Sequence, residues 1–190
     1  MSTTLRSTAG RSGFCPCKKN LFRKHERAVG NSRCMDETYI KVKGVWKYLY
    51  RAVDKEGETV DFVLTARRDK AAAVRFFEKA MKASGVPEKV AMDKSGANKA
   101  AIDAINAGRE MPILVSQVKY LNNIVEQDHR AIKRLTRPML NFKSFRAASS
   151  VLAGIELIHM IRKGQFTIDG ADPMSFADQF PTLAGMVRPV

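Results

Sequence analysis

Polar and hydrophobic residues alternate in the segment that begins at Asp36, as they do in a β-strand with one buried face. Gly44 supplies a turn after this strand. Residues 46–53 are rich in aromatic and β-branched side chains, and residues 59–65 have the same character beyond a polar turn at residues 54–57. The pattern therefore predicts three strands joined as an antiparallel meander.

Helical periods and short apolar runs alternate in the remainder of the chain. Asp69 is a candidate N-cap for a helix that Gly85 ends. A later helix begins at residue 122 or 123 and ends by Arg137, because Pro138 disfavours helical geometry in the residue before it. The other predicted elements are strands at residues 89–92 and 112–116, a helix at about 98–107 and a long helix after Ser144. This order predicts an α/β fold with a mixed five-stranded sheet flanked by helices.

The size and charge of the chain narrow its class. It has 190 residues, of which 45% are hydrophobic, enough to bury one core of ordinary size. Its net charge of +14 favours a polyanionic partner, with nucleic acid ahead of an anionic membrane surface. No apolar run approaches the roughly 18 residues that cross a bilayer. We therefore expect no membrane partner and a cytoplasmic location.

The first 34 residues differ from the rest of the chain. They contain eight basic residues against Glu26 as the one acid, which is half of the net charge, and glycines and a proline interrupt any helical period. We expect a disordered basic arm over residues 1–34, followed by one domain over residues 35–190. Cys15, Cys17 and Cys34 do not suit a disulfide framework. Half of a zinc site is one alternative, and free thiols in a reducing compartment are favoured.

Three acidic residues lie where strands and a helix bring side chains together. Asp36 opens the first strand, Asp93 ends the fourth, and Glu126 lies in the first turn of a helix. If the first strand is central with the fourth beside it, the three carboxylates converge at one edge of the sheet. Converging carboxylates repel one another unless they share cations. Oxygen ligands select Mg²⁺ or Mn²⁺, and two such ions can promote in-line displacement at phosphorus.

The alternative for these acids is a solvated position on the surface, since 19 acidic residues offer many such trios. The residues around Glu126 favour the functional interpretation. Arg130, Lys133 and Arg137 follow it by 4, 7 and 11 positions, so they share its face of the helix. Lys119 and Arg134 belong to the same basic segment. We expect these five basic residues to bind DNA phosphates, although an ordinary surface pair between Glu126 and Arg130 is the simpler alternative.

Other titratable residues near this helix carry weaker signals. His129 lies one position off the face of Glu126, where it would contact phosphate or be a half-buried structural histidine. Asp128 points to the opposite side of the helix and is not expected to be a ligand.

Several sequence blocks resemble the bacterial insertion-sequence transposases of the family numbered six. The first block is MDETYIKVKG with WKYLYRAVD after it, the second is MDKSGAN, and the third runs from YLNNIVEQDHR to TRPML. The resemblance continues through FKSF and HMI and covers residues 35–180 approximately.

This resemblance implies a ribonuclease H-like catalytic fold with a DDE triad at Asp36, Asp93 and Glu126. It also implies a basic residue seven positions after the glutamate, here Lys133. The implied activity is Mg²⁺-dependent cleavage and strand transfer at insertion-sequence ends. The implied partners are transposon ends, a target DNA duplex and further copies of the chain in a dimer or larger synaptic assembly, in the bacterial cytoplasm with the nucleoid.

The start of the chain departs from the family pattern. Family members carry a helix-turn-helix region before the first aspartate, and residues 1–34 do not resemble one. A truncated copy is therefore expected, and a catalytically silent remnant that binds DNA non-specifically is the main alternative. A general ribonuclease H-like nuclease is a third hypothesis.

Overall fold

The computed structural model describes residues 25–117, 123–139, 141–167 and 176–186, which form a five-stranded sheet with helices on both faces. The strands are β1 (Ser32–Val42), β2 (Val45–Asp54), β3 (Thr59–Thr65), β4 (Lys89–Met92) and β5 (Leu114–Ser116). The helices are α1 (Lys70–Ser84), α2 (Gly96–Asn106), α3 (Asn123–Thr136), α4 (Phe145–Arg162) and α5 (Phe176–Met186), and a 3₁₀ turn, Arg137–Met139, follows α3. The predicted mixed sheet flanked by helices is confirmed.

Strand β1 is central, and the strand order is β3-β2-β1-β4-β5. It pairs antiparallel with β2, where Asp36 lies opposite Arg51. It pairs parallel with β4 from Ser32 to Met35, and Met35 is the partner of Met92 at the end of β4. Beyond Met35, β1 therefore continues past the end of β4. The condition for convergence of the acids, a central first strand with the fourth beside it, is therefore met.

Strand β1 begins at Ser32, four residues earlier than predicted, so it extends into the segment assigned to the basic arm. Arg33 and Cys34 are both buried, and the Cys34 thiol forms no disulfide with the residues that the structure describes. The Arg33 guanidinium donates hydrogen bonds to the carbonyls of Ser84 at 2.5 Å and Gly85 at 2.9 Å. These carbonyls lie at the C-terminal end of α1, where the helix itself supplies no hydrogen-bond donors for them. The sequence pattern missed this start because an arginine in a basic segment is expected in solvent.

The structure describes only the end of the remaining predicted arm, from residue 25 onward. Backbone hydrogen bonds join residues 25–27 to residues 165–167. Residues 1–24, with Cys15 and Cys17, lie outside the described residues.

The ends of the helices follow the predicted signals closely. The Asp69 side chain accepts a hydrogen bond from the backbone of Ala72 at 2.7 Å, and Gly85 ends α1 with φ of 75°. Ser144 caps α4 in the same way, through the backbone of Ala147 at 3.0 Å. The sequence pattern does not predict α5, which contains Pro181 inside the helix.

The core has two layers, one on each face of the sheet. On one face, Met35 and Tyr50 pack with the Ala- and Phe-rich side of α1 and with Ile102 of α2. On the other face, Ile40 and other strand residues pack with Ile132 of α3 and with α4. In the described parts of the chain, no helix has the length and apolar character needed to cross a membrane.

A buried ion network joins α3 and α4 to the sheet. The Arg51 side chain is 0% exposed, and its Nη2 lies 3.0 Å from Oδ2 of Asp128 and 2.8 Å from Oε2 of Glu156. Lys163 Nζ lies 3.0 Å from the other oxygen of Asp128. Because buried charges are costly without partners, each member of this network depends on the others. The network therefore fixes the position of α3 on the sheet.

We predict that Arg51→Leu lowers the free energy of unfolding by about 3–5 kcal/mol, because it leaves two buried carboxylates without their shared cation. Urea unfolding followed by circular dichroism measures this change. The control is Lys55→Ala, which breaks the exposed pair with Glu56 and should change stability by less than about 0.5 kcal/mol. Equal effects of the two substitutions would contradict the role assigned to the network.

Candidate active site

Asp36 and Glu126 line the same cleft, which has a volume of about 280 Å³ and is called the acid cleft below. Strand β1 contributes one wall and α3 the other. The lining residues are Asp36, Glu37, Thr38, Tyr39, Glu126, His129, Arg130 and Lys133. Two of the three predicted acids and two of the predicted basic residues thus share one concave surface.

The geometry of β1 and α3 explains this arrangement. Asp36 is the first residue of β1 beyond its pairing with β4, so its side chain lies at an open edge of the sheet. Helix α3 packs on the sheet through a buried face that includes Val125, His129 and Ile132. Glu126 and Arg130, next to that face, remain exposed and reach the cleft.

The main chain of Asp93 lies beside the main chain of Asp36. Each aspartate directly follows one member of the Met35–Met92 pair, and neighbouring strands are about 4.8 Å apart. The Asp93 side chain is exposed, and its Oδ1 accepts a hydrogen bond from the backbone of Lys94 at 2.7 Å. The Asp93 side chain is not among the described residues that line the acid cleft. The described residues also contain no group of three His, Cys, Asp or Glu side chains placed to hold a metal ion.

His129 is buried at the base of the acid cleft. Its Nδ1 lies 3.5 Å from Oδ2 of Asp36, which is longer than a good hydrogen bond. Its Nε2 is buried, with no hydrogen-bond partner among the residues that the structure describes. His129 therefore faces the carboxylate of Asp36 rather than solvent. Asp128, which was not expected to be a ligand, is instead part of the ion network with Arg51.

The predicted basic residues are spread along α3 and its end. Arg130 and Lys133 line the acid cleft, while Lys133 and Arg137 line a neighbouring cavity. Arg134 is exposed on the same helix. Lys119 lies outside the described residues.

A polar network that the sequence analysis did not identify joins β1 to the loop after β4. The Glu37 side chain, 4% exposed, forms an ion pair with Arg68 and accepts a hydrogen bond from Asn98 Nδ2 at 2.6 Å. Arg68 also donates to Ser95 Oγ at 3.3 Å. Ser95 is two residues after Asp93, so the network holds the loop of Asp93 against β1. An Asn near the start of an Ala-rich helix is the sequence signal for such a contact.

In this network the positive charge of Arg68 is paired with the negative charge of Glu37. Burial, the largest single effect, acts to lower the pKa of Arg68, but Glu37, Tyr39 and Tyr50 together outweigh it and the pKa is raised. Burial, followed by the nearby charge of Glu37, raises the pKa of Tyr50 to about 12. The guanidinium therefore stays charged and the phenol neutral at physiological pH.

The chain resembles known transposases over most of its length. Residues 30–165 match the DDE domain of IS240-type transposases. The chain is 43% identical over 143 residues to the transposase for the insertion sequence-like element IS431mec of Staphylococcus aureus strain Mu50. It is also 43% identical over 143 residues to the transposase for insertion sequence element IS257 in transposon Tn4003 of Staphylococcus aureus. Each match covers 74% of this chain and 62% of the relative.

A solved structure shares the fold. The catalytic core domain of HTLV-2 integrase in complex with magnesium has a TM-score of 0.54 and 17% sequence identity. The match covers 80% of this chain and 98% of the integrase domain. At this identity the likeness shows the fold, and it confirms the ribonuclease H-like arrangement that the resemblance implies.

We predict that Asn98→Asp destabilises the protein more at pH 8 than at pH 5. The new carboxylate replaces a hydrogen-bond donor to Glu37, so one of the two acids has a folded-state pKa above its unfolded value. Acidification through that pKa protonates it in the folded state and relieves the repulsion. Urea unfolding of this variant and the wild type at the two pH values measures the effect.

The matched control is Asn98→Ala, which loses the same hydrogen bond without adding a charge. It should cost about 1–3 kcal/mol at both pH values. The same pH dependence in both variants would contradict the contact between Asn98 and Glu37.

Proposed function

The chain belongs to the family of transposases that share this DDE domain, and we propose that it is a catalytic core that cleaves and joins DNA strands with divalent metal ions. The observation that carries this proposal is the shared cleft of Asp36 and Glu126, with Arg130 and Lys133 on its wall. The sequence blocks also support the narrower assignment to the insertion-sequence family numbered six.

The donor atoms of the site fit a hard divalent cation. Asp36, Asp93 and Glu126 offer carboxylate oxygens, which select Mg²⁺ or Mn²⁺ over softer metals. Asp36 and Glu126 line one cleft, and the strand pairing sets the main chain of Asp93 beside Asp36. We propose that these three side chains hold two ions. When bound, such ions activate an attacking oxygen and stabilise the leaving oxygen at phosphorus. The likeness to a magnesium-bound integrase core is consistent with this choice of metal.

The protein side chains would position the DNA. Arg130 and Lys133 lie next to the acids and would bind the phosphates that flank the bond to be cut. His129 would orient the carboxylate of Asp36, since its Nδ1 lies 3.5 Å from that group. The chemistry needs no side-chain nucleophile, because water or a DNA 3′-hydroxyl provides the attacking oxygen.

The partners that suit this function are DNA and further copies of the chain. Cutting and joining require transposon ends and a target duplex at the same time, which favours a homodimer or a higher synaptic assembly. The chain spans 62% of the length of its staphylococcal relatives. We propose that the whole protein also recognises particular end sequences.

We predict that replacing Asp36, Asp93 or Glu126 with Ala reduces Mg²⁺-dependent nicking of supercoiled DNA by at least about 10³-fold. Each substitution removes an oxygen ligand, while the basic residues that supply salt-sensitive DNA binding remain. Gel analysis of nicking and fluorescence anisotropy of binding at several salt concentrations measure the two properties separately. The control is Asp103→Ala, an exposed acid on α2 that pairs with Lys99 and should leave both properties unchanged.

Nicking retained in all three variants would overturn the proposed role of the acids. Salt-sensitive DNA binding by a wild type that neither nicks DNA nor binds Mn²⁺ would favour the alternative function, a DNA-binding remnant. The absence of a three-ligand metal group in the described residues is the observation that favours this alternative.

A further inference from the structure

A second cavity of about 720 Å³ opens beside the acid cleft. It is called the aromatic groove here, and its main side chains are Tyr39, Trp46, Tyr48, Lys41, Lys133 and Arg137. Tyr39 and Lys133 line both the acid cleft and the aromatic groove. The two concave surfaces are therefore continuous along the edge of β1.

The three rings of the groove form one contiguous cluster. The centroid of Tyr39 lies 5.4 Å from that of Tyr48 and 6.4 Å from that of Trp46. The β1–β2 register places Tyr39 opposite Tyr48, so the cluster is built into the sheet. Yet Trp46 is 56% exposed and Tyr39 is 45% exposed. Exposed aromatic rings grouped in a groove are typical of binding surfaces rather than of a core.

Positive charge surrounds these rings. Lys41 Nζ lies 5.6 Å from the centroid of the Trp46 ring. Lys133 and Arg137 line the groove from the other side, and none of its described lining residues is acidic. Surfaces that bind unpaired nucleic acid combine aromatic rings, on which bases stack, with cations, which bind phosphates.

We propose that the aromatic groove binds one or two unpaired nucleotides of the DNA strand whose phosphate occupies the acid cleft. This inference rests on the proposed function and adds to it a site for bases. The bases would stack on Tyr39 and Trp46, while Lys133, shared by the two surfaces, would contact the phosphate between them. A paired duplex does not suit the groove, because its bases are already stacked on each other.

The fluorescence of the chain's single tryptophan, Trp46, reports directly on stacking. Titration of the wild type with a six-nucleotide oligothymidylate in EDTA should quench its emission. An abasic oligonucleotide of the same length carries the same phosphates without bases, and it should leave most of the emission. Equal quenching by the two ligands, or binding of oligothymidylate without quenching, would overturn the proposal.

A pair of variants tests whether the ring contributes to affinity. Trp46→Leu should weaken binding of a labelled oligothymidylate about tenfold, as measured by fluorescence anisotropy, because stacking of a base is lost. Phe145→Leu removes an exposed ring at the start of α4 and should bind like the wild type. Equal affinity of the two variants would contradict the stacking role.

The same reagents separate this inference from the proposed function. Quenching in EDTA requires no metal and no cleavage, so it can fail while Mg²⁺-dependent nicking succeeds, or succeed while nicking fails. A groove covered by a second copy of the chain would also be detected. In that case Trp46→Leu would lower the mass measured by analytical ultracentrifugation and the oligonucleotide would not quench, which would overturn the proposal.

Discussion

Strand β1 is longer than its parallel neighbour β4, and this difference in length is the constraint on which the candidate site depends. Pairing between β1 and β4 ends at Met35 and Met92, so Asp36 and Asp93 follow this pair side by side, with Asp36 still paired to β2. The rest of β1 keeps its antiparallel partner β2 on one side, and its other edge faces α3 until Val42 bridges to Phe142. The acid cleft and the aromatic groove both lie along this edge. A β4 that paired with all of β1 would cover them.

The second requirement is a fixed position for α3 along that edge. Arg51 lies opposite Asp36 on β2 and binds Asp128, two residues after Glu126, with its side chain wholly buried. Arg51, the cross-strand neighbour of Asp36, thus holds α3, the helix that carries Glu126. On the opposite side of β1, Glu37 holds the loop after Asp93 through Arg68 and Asn98. Buried charge networks therefore flank the site, while Glu126 and Arg130, which line it, are exposed.

Much of this architecture could be predicted from local patterns. Strand β3 and strand β4 lie at the predicted residues, and Asp69 and Ser144 cap helices because their side chains accept backbone hydrogen bonds nearby in sequence. Long-range partners could not be predicted in this way. Arg33 appeared to belong to a solvated arm, yet it is buried against the end of α1, 51 residues away.

The site shows the same division between local and distant information. The spacing of Arg130 and Lys133 from Glu126 follows from helical geometry, and both residues line the acid cleft with it. The side chain of Asp93 bonds to the backbone of its own loop, a rotamer that spacing does not reveal. The aromatic groove needs residues from β1, β2 and the end of α3, so its members carry no common sequence signal.

In the proposed site, Asp36, Asp93 and Glu126 share divalent cations at the open edge of β1. The most direct measurement is anomalous X-ray scattering from crystals soaked in Mn²⁺. We expect manganese peaks in contact with carboxylate oxygens of all three residues, with the Asp93 side chain turned away from the backbone of Lys94. Saturating Mn²⁺ that gives no peak at this edge, or peaks bound only by other residues, would contradict the proposed site.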